Sequence, residues 1–147
     1  MTIRDINQKD YDVFMDMCRD FYSGDAVDHA VDENNFKKTF NELTNNNPLI
    51  RAFILEVDGE CAGYAQLSFT WSNEAGGFTV WLEEIYIKPE FRERKLGTKL
   101  IEYIFNEYKN KACRFRLEVS PSNTAAMKLY SRLGFTNLNY LQMIIDK

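Results

Sequence analysis

Between residues 78 and 108 the hydrophobic period of this chain changes, and that change limits the folds open to it. The run Phe78-Thr79-Val80-Trp81-Leu82-Glu83-Glu84-Ile85-Tyr86-Ile87 is rich in β-branched and aromatic residues and reads as a strand. Beyond Pro89, Leu96, Leu100, Ile101, Ile104, Phe105 and Tyr108 recur at 3.6-residue spacing, so Gly97 to about Asn110 reads as an amphipathic helix. A strand feeding through a basic loop into a helix points to mixed α/β structure. Two acids, Glu83 and Glu84, stand inside the strand, an environment that usually rejects them.

The remaining elements follow from the same signals. TIRDI alternates as a short first strand. Asn7, with Asp10 three residues on, offers a helix cap ahead of Val13, Phe14, Met17 and Phe21. SGDAVDHAVDENN is a polar, acidic connection, and NFKKTFNELT a second helix ending before Asn45-Asn46-Asn47-Pro48. LIRAFILEV and CAGYAQLSFTW flank Asp58-Gly59 as a β-hairpin, and SNEAGG turns into the strand above. RFRLEV predicts a strand, NTAAMKLYSRL a helix stopped by Gly134, and YLQMII a closing strand. The order β-α-α-β-β-β-α-β-α-β predicts one mixed α/β domain over residues 1–147, a length that closes one core and not two.

Composition narrows the function classes. The net charge of −4 argues against nucleic acid as a partner, yet charge is uneven. Residues 1–33 carry three bases and nine acids (3 − 9 = −6), and residues 88–116 nine bases and four acids (9 − 4 = +5). That split fits either ordinary solvated faces or a cationic and a polyanionic co-substrate on opposite sides. No apolar run approaches the roughly 20 residues of a membrane helix, and the N-terminus does not read as a signal peptide, so a cytoplasmic, membrane-free protein is expected. Cys18, Cys61 and Cys113 are odd in number and widely spaced, and His29 is the one histidine. Neither a disulfide framework nor a metal site is expected.

The loop Phe91-Arg92-Glu93-Arg94-Lys95-Leu96-Gly97-Thr98 opens the amphipathic helix. The first helical N–H groups lack intrahelical partners and the helix dipole favours an anion there, so the loop can seat a phosphate. It also fits a charged, solvated turn. Glu83 and Glu84 are expected on opposite faces of the strand, because side chains alternate.

LEEIYIKPEFRERKLGTKLIEYI resembles the central motif of the Gcn5-related N-acetyltransferases (GNAT), in which an L-E-[DE] strand leads to [QR]-x-x-G-x-[GA] and a helix. NTAAMKLYSRLGF resembles the family's N-x-x-[AS]-x-x-[LF]-Y-x-x-x-G-F, and the element order is also the family's. The resemblance implies a GNAT acyltransferase fold, its mostly antiparallel sheet splayed at the cofactor site and flanked by about four helices. It implies acetyl-CoA as co-substrate, with the pyrophosphate on backbone N–H groups of Glu93, Arg94, Lys95, Leu96, Gly97 and Thr98 and with Arg92, Arg94 and Lys95 adding charge. It places pantetheine along Ile85, Tyr86 and Ile87, and Asn123 against the cofactor. Lys95 stands where the family usually has its first glycine; a lysine suits that position if no positive φ is needed there.

The resemblance further implies Tyr130 as general acid to the leaving thiolate and Glu83 or Glu84 as base. Glu83, nine residues before Arg92, is favoured because the polyamine-type branch has its proposed base at that offset. The implied reaction is direct transfer of acetyl to a primary amine of a cationic small molecule such as a polyamine, diamino acid or aminoglycoside. Peptide and protein amines, and a non-catalytic acyl-CoA-binding module, remain open as alternatives, as does a homodimer. His29 reads as a surface residue, and Glu56 and Glu118 as structural.

Overall fold

A computed structural model describes residues 1–24 and 30–147. Residues 25–29 of the expected acidic connection, His29 among them, lie outside the described residues. Chain order is β1 (Thr2–Asp5), α1 (Tyr11–Ser23), α2 (Glu33–Thr44), β2 (Ile50–Val57), β3 (Glu60–Ser72), β4 (Gly77–Ile87), α3 (Leu96–Tyr108), β5 (Arg114–Leu117) and α4 (Thr124–Arg132). The five strands form one sheet in the order β1-β2-β3-β4-β5, antiparallel except for the parallel β4–β5 pair.

Local chemistry explains most boundaries. Asn7 and Asp10 form the expected capping box, Asn7 accepting from the Lys9 N–H and Asp10 from the Asn7 N–H, although the chain first makes a 3-10 turn there. Asp58 (φ 53°) and Gly59 (φ 83°) both take the left-handed conformation a two-residue hairpin needs. Gly134 (φ 92°) ends α4 as the sequence predicts.

Helices cover both faces of the sheet. Phe14, Met15 and Met17 of α1 and Phe36 and Phe40 of α2 pack on Ala52, Ile54, Tyr64 and Tyr86. On the other face, Leu100, Ile101 and Ile104 of α3 pack on Phe53, Ala65, Leu67, Val80 and Leu82. Between β3 and β4 the strands approach so closely at Gly63 that a Cβ there would meet the Tyr86 carbonyl oxygen at 2.2 Å.

The closing strand expected in Tyr140–Ile145 is not formed. The segment runs without pairing, and Leu141, Met143, Ile144 and Ile145 are 94, 92, 82 and 85% exposed. Strand-forming side chains make a strand only where a partner backbone faces them, and this segment meets β5 through a side chain alone. With its amide turned to satisfy both partners, Gln142 donates to Glu118 Oε1 (3.2 Å) and accepts from Arg116 (3.3 Å). No residue from Lys109 to Lys147 is buried.

Gly63→Ala should destabilise the fold by roughly 1–3 kcal/mol, since β3 and β4 must part to admit the methyl group. Urea unfolding tests this, and an unchanged midpoint would mean that the sheet yields freely there.

Candidate active site

The site begins where the β4–β5 ladder ends. Pairing runs from Thr79↔Arg114 to Leu82↔Leu117 and stops, leaving the outer edge of Glu83–Ile87 without a strand neighbour. An open cleft of about 1160 Å³ fills the gap, walled by Glu83, Glu84 and Ile85 of β4, the β5 region, and Asn123 and Tyr130 of the α4 region. This is the splay the sequence resemblance implies.

A β-bulge sits at the mouth of the gap. Gln66 pairs with Glu84 and Leu67 with Leu82, so Glu83 is an extra residue in β4. Val80 and Leu82 before the bulge, and Ile85 and Ile87 after it, therefore all face the α3 side. The bulge also overturns the expectation that the two acids point to opposite faces. Ser68 Oγ donates to Glu83, and Tyr64 Oη and Tyr22 Oη donate to Glu84. Ser68 and Tyr64 share one face of β3, so both acids reach toward the α1 side, where strict alternation would have separated them.

The two environments differ. Glu83 is exposed, whereas Glu84 is only 9% exposed. Burial raises the Glu84 carboxyl above its usual range, the Tyr22 and Tyr64 hydrogen bonds oppose that shift, and the Glu83 charge adds to it. Burial, and then the Glu84 charge, pushes the Tyr22 phenol up.

Tyr130 also lines the cleft, half-buried against Phe135 with ring centroids 5.8 Å apart. Burial raises its pKa, which keeps the phenol protonated, and no side chain among the described residues bonds its hydroxyl. Asn123 caps α4, its Oδ1 accepting from the Ala126 N–H at 3.2 Å, and it also lines the cleft. Tyr86 turns its side chain away, donating to Asp20 in the α1-side core, so it offers the cleft backbone alone. Ile85 and Ile87 are half-buried.

Arg92 to Thr98 does not line the cleft; it lies beyond the end of β4, which links the two. Glu93 (φ 63°) and Lys95 (φ 58°) are both left-handed. The position of Lys95 does require a positive φ, contrary to the condition under which a lysine would be comfortable there. The cost for a residue with a Cβ is roughly 1–2 kcal/mol. Alternation of this kind turns successive N–H groups toward one side and builds an anion-binding concavity. Lys95 caps α3 without a side-chain hydrogen bond, and no acid stands in the first turn. A Cβ at Gly97 would meet only Leu129, at an ordinary 3.5 Å, so protein packing does not require glycine there. Arg92 Nε donates to the Ile87 carbonyl (3.0 Å), and the Arg94 guanidinium lies 5.4 Å from the Phe91 ring.

Sequence reasoning missed Tyr22, Tyr64 and Gln66, which meet Glu84 across long sequence separations. It also missed Arg116, stacked 4.3 Å from the Trp81 ring on the cleft wall. No local pattern marks any of them. Among the described residues no cluster of three or more His, Cys, Asp or Glu side chains could hold a metal ion, and no helix is long and apolar enough to cross a membrane.

A splayed parallel pair, a bulged acidic strand and a helix start without a side-chain cap are the features of this site. The chain belongs to the acetyltransferase (GNAT) family, whose pattern it matches over residues 11–135. It is 31% identical over 148 residues to thialysine N-epsilon-acetyltransferase of Mus musculus, covering 92% of this chain and 84% of the mouse protein. Against the Sus scrofa protein of that name it is 34% identical over 101 residues, 63% of this chain and 59% of the pig protein's length. Among solved structures, AAC(6')-Iy in complex with the bisubstrate analogue CoA-S-monomethyl-acetylneamine superposes with a TM-score of 0.81. It is 22% identical, over 99% of this chain and 97% of that one.

Two stability measurements test this geometry. Lys95→Gly should relieve backbone strain and raise Tm by roughly 2–4 °C, corresponding to about 1 kcal/mol; an unchanged or lower Tm would show that Lys95 carries none. Because the folded-state pKa of Glu84 lies above its reference of 4.5, its contribution to stability is fully present below about pH 4.5 and is lost as pH rises through the elevated value. Glu84→Gln should remove that loss, and urea midpoints against pH should show a flatter profile above pH 4.5.

Proposed function

We propose that this chain transfers an acetyl group from acetyl-CoA to a primary amine of a cationic small molecule by direct attack. The observation that carries the reading is the end of the β4–β5 ladder at Leu82 and Leu117, with Glu83 and Tyr130 both lining the cleft it opens. The mouse and pig relatives are named as acetyltransferases of an amine, and the superposed structure holds a CoA-linked acceptor; both support the reading.

The chain supplies each requirement of the chemistry. The Glu93-to-Thr98 concavity receives the pyrophosphate, with Arg92, Arg94 and Lys95 adding charge. The unpaired edge of Ile85–Ile87 offers backbone groups to pantetheine and N–H groups to the thioester carbonyl, where negative charge develops. A primary alkylamine has a pKa near 10, so roughly one molecule in a thousand is neutral at pH 7. Glu83, at the bulge and open to solvent, accepts the proton. As the nitrogen–carbon bond forms and the carbon–sulfur bond breaks, Tyr130 donates its proton to the departing thiolate. Cysteine takes no part: Cys18 is buried, its thiol pushed up to about 12 by burial and then by Glu84, and neither Cys61 nor Cys113 lines the cleft.

The proposal includes a homodimer. The uncovered apolar segment Leu141–Ile145 and the half-buried β5–α4 layer leave surface that a second copy would cover. Sedimentation should give twice the 17.3 kDa of one chain, falling to one chain's mass in Leu141→Asp/Met143→Asp/Ile145→Asp. A monomeric parent would end this part of the proposal and leave the chemistry standing.

Thiol release from acetyl-CoA across a panel of amines tests the activity. Turnover with a small cationic amine and none with peptide N-termini supports the proposal; stabilisation by CoA without turnover would make the chain a binding module. Tyr130→Phe should lower kcat roughly 100-fold or more while leaving CoA affinity within about twofold. Unchanged turnover would remove Tyr130 as the acid.

A further inference from the structure

Among the described residues, Glu84 is a buried carboxylate that has hydrogen bonds and no cation. Two phenols donate to it, from Tyr22 on α1 and Tyr64 on β3. Among the described residues every acid in a salt bridge is paired with arginine, and none of those pairs includes Glu84. Among the described residues its one charged influence is Glu83, of like sign. Taking a carboxylate out of water is costly unless a counter-charge accompanies it, so a fold that keeps Glu84 here without one leaves a place for a cation.

A cavity stands beside it. About 200 Å³ of space lies between α1, α2 and the sheet, with Phe14, Val31 and Phe36 as apolar walls and Glu84, Tyr22, Asn35, Thr39 and Gln66 as polar ones. Gln66, Tyr22 and Glu84 line both this cavity and the larger cleft, so the two spaces adjoin at these residues. Tyr22 stacks on Phe36 at 5.1 Å between centroids, which holds its ring between the two spaces. Two phenylalanine rings, a valine, uncharged amide and hydroxyl groups and a single carboxylate suit an alkylammonium: methylenes pack against the rings, and the charged nitrogen meets the carboxylate and ring faces. A neutral or anionic group would leave Glu84 as it stands, buried and uncompensated.

We propose that Glu84, with Tyr22 and the small cavity behind them, binds a second ammonium group of the acceptor, so that the chain selects diamines over monoamines. This rests on the acetyl-transfer reading above and deepens it, because the amine that reacts is then the end of the acceptor left in the larger cleft beside Glu83. The two neighbouring acids divide the work. Glu83 accepts the proton of the reacting nitrogen, and Glu84 holds the distant one. Phenol donors from Tyr22 and Tyr64 fix the carboxylate and keep it from swinging toward the reacting end.

The test compares 1,4-diaminobutane with 1-aminobutane as acceptors for the full chain. With wild type, kcat/KM for the diamine should exceed that for the monoamine at least tenfold. Glu84→Gln, which keeps the shape and one acceptor for a phenol while the other phenol must accept from the amide N–H, should raise KM for the diamine tenfold or more. It should leave kcat within about threefold and KM for the monoamine unchanged. Tyr22→Phe should act in the same direction more weakly, and serves as the second variant should Glu84→Gln not fold. A KM that moves equally for both amines, or for neither, would overturn the proposal, as would a wild type without preference for the diamine. If wild type acetylates neither amine, calorimetric binding decides separately. Diamine binding weakened tenfold by Glu84→Gln would keep the cation site while the activity assignment falls; absence of diamine binding would remove the site.

Discussion

The one extra residue in β4 is the constraint on which the site depends. Without the bulge at Glu83, alternation would carry Glu84 to the side of Leu82, into the apolar layer under α3, where its charge would have no donor. With it, the α3 face stays apolar through Val80, Leu82, Ile85 and Ile87, and both acids come out on the α1 side. The same place marks the end of pairing with β5, so the strand changes there from a structural member of the sheet to an open edge. Packing and chemistry are separated by a single shift of register.

The two ends of β4 work by different physics. At the bulge, side chains in low and high exposure give two carboxylates with different properties a residue apart. Beyond Ile87 the distinctive feature is the backbone, with left-handed residues at Glu93 and Lys95 and a start of α3 that has no side-chain cap. Charged side chains around them are exposed and contribute attraction rather than geometry. Strain at Lys95 is a local cost of holding that backbone, borne by a core that packs α3 tightly through Leu100, Ile101 and Ile104.

The C-terminal quarter stands apart energetically. α4 has no buried residue and β5 only half-buried ones, while the segment after Gly134 carries apolar side chains into solvent. Tyr130 and Asn123 belong to this thinly packed region, so the wall that carries the proposed acid is held mainly by Phe105, Phe115 and Phe135 contacts. Anything that covers this layer would also steady that wall.

Sequence alone determined the elements whose signals are local. The periods of α1 to α4, the cap at Asn7 and Asp10, the Asp58-Gly59 turn and the stop at Gly134 each depend on residues within a turn or two of one another. The two motifs likewise marked Glu83, Glu84, Asn123, Tyr130 and the basic loop as the residues to examine. Tertiary structure decided what local patterns do not contain. Register against β3 set the faces of the two acids, the backbone path around Lys95 required a positive φ, and Tyr22 and Tyr64 reached Glu84 from 62 and 20 residues away. It also decided that YLQMII, a good strand by composition, pairs with no strand among the described residues. A strand is a property of two backbones, and a sequence pattern describes only one of them.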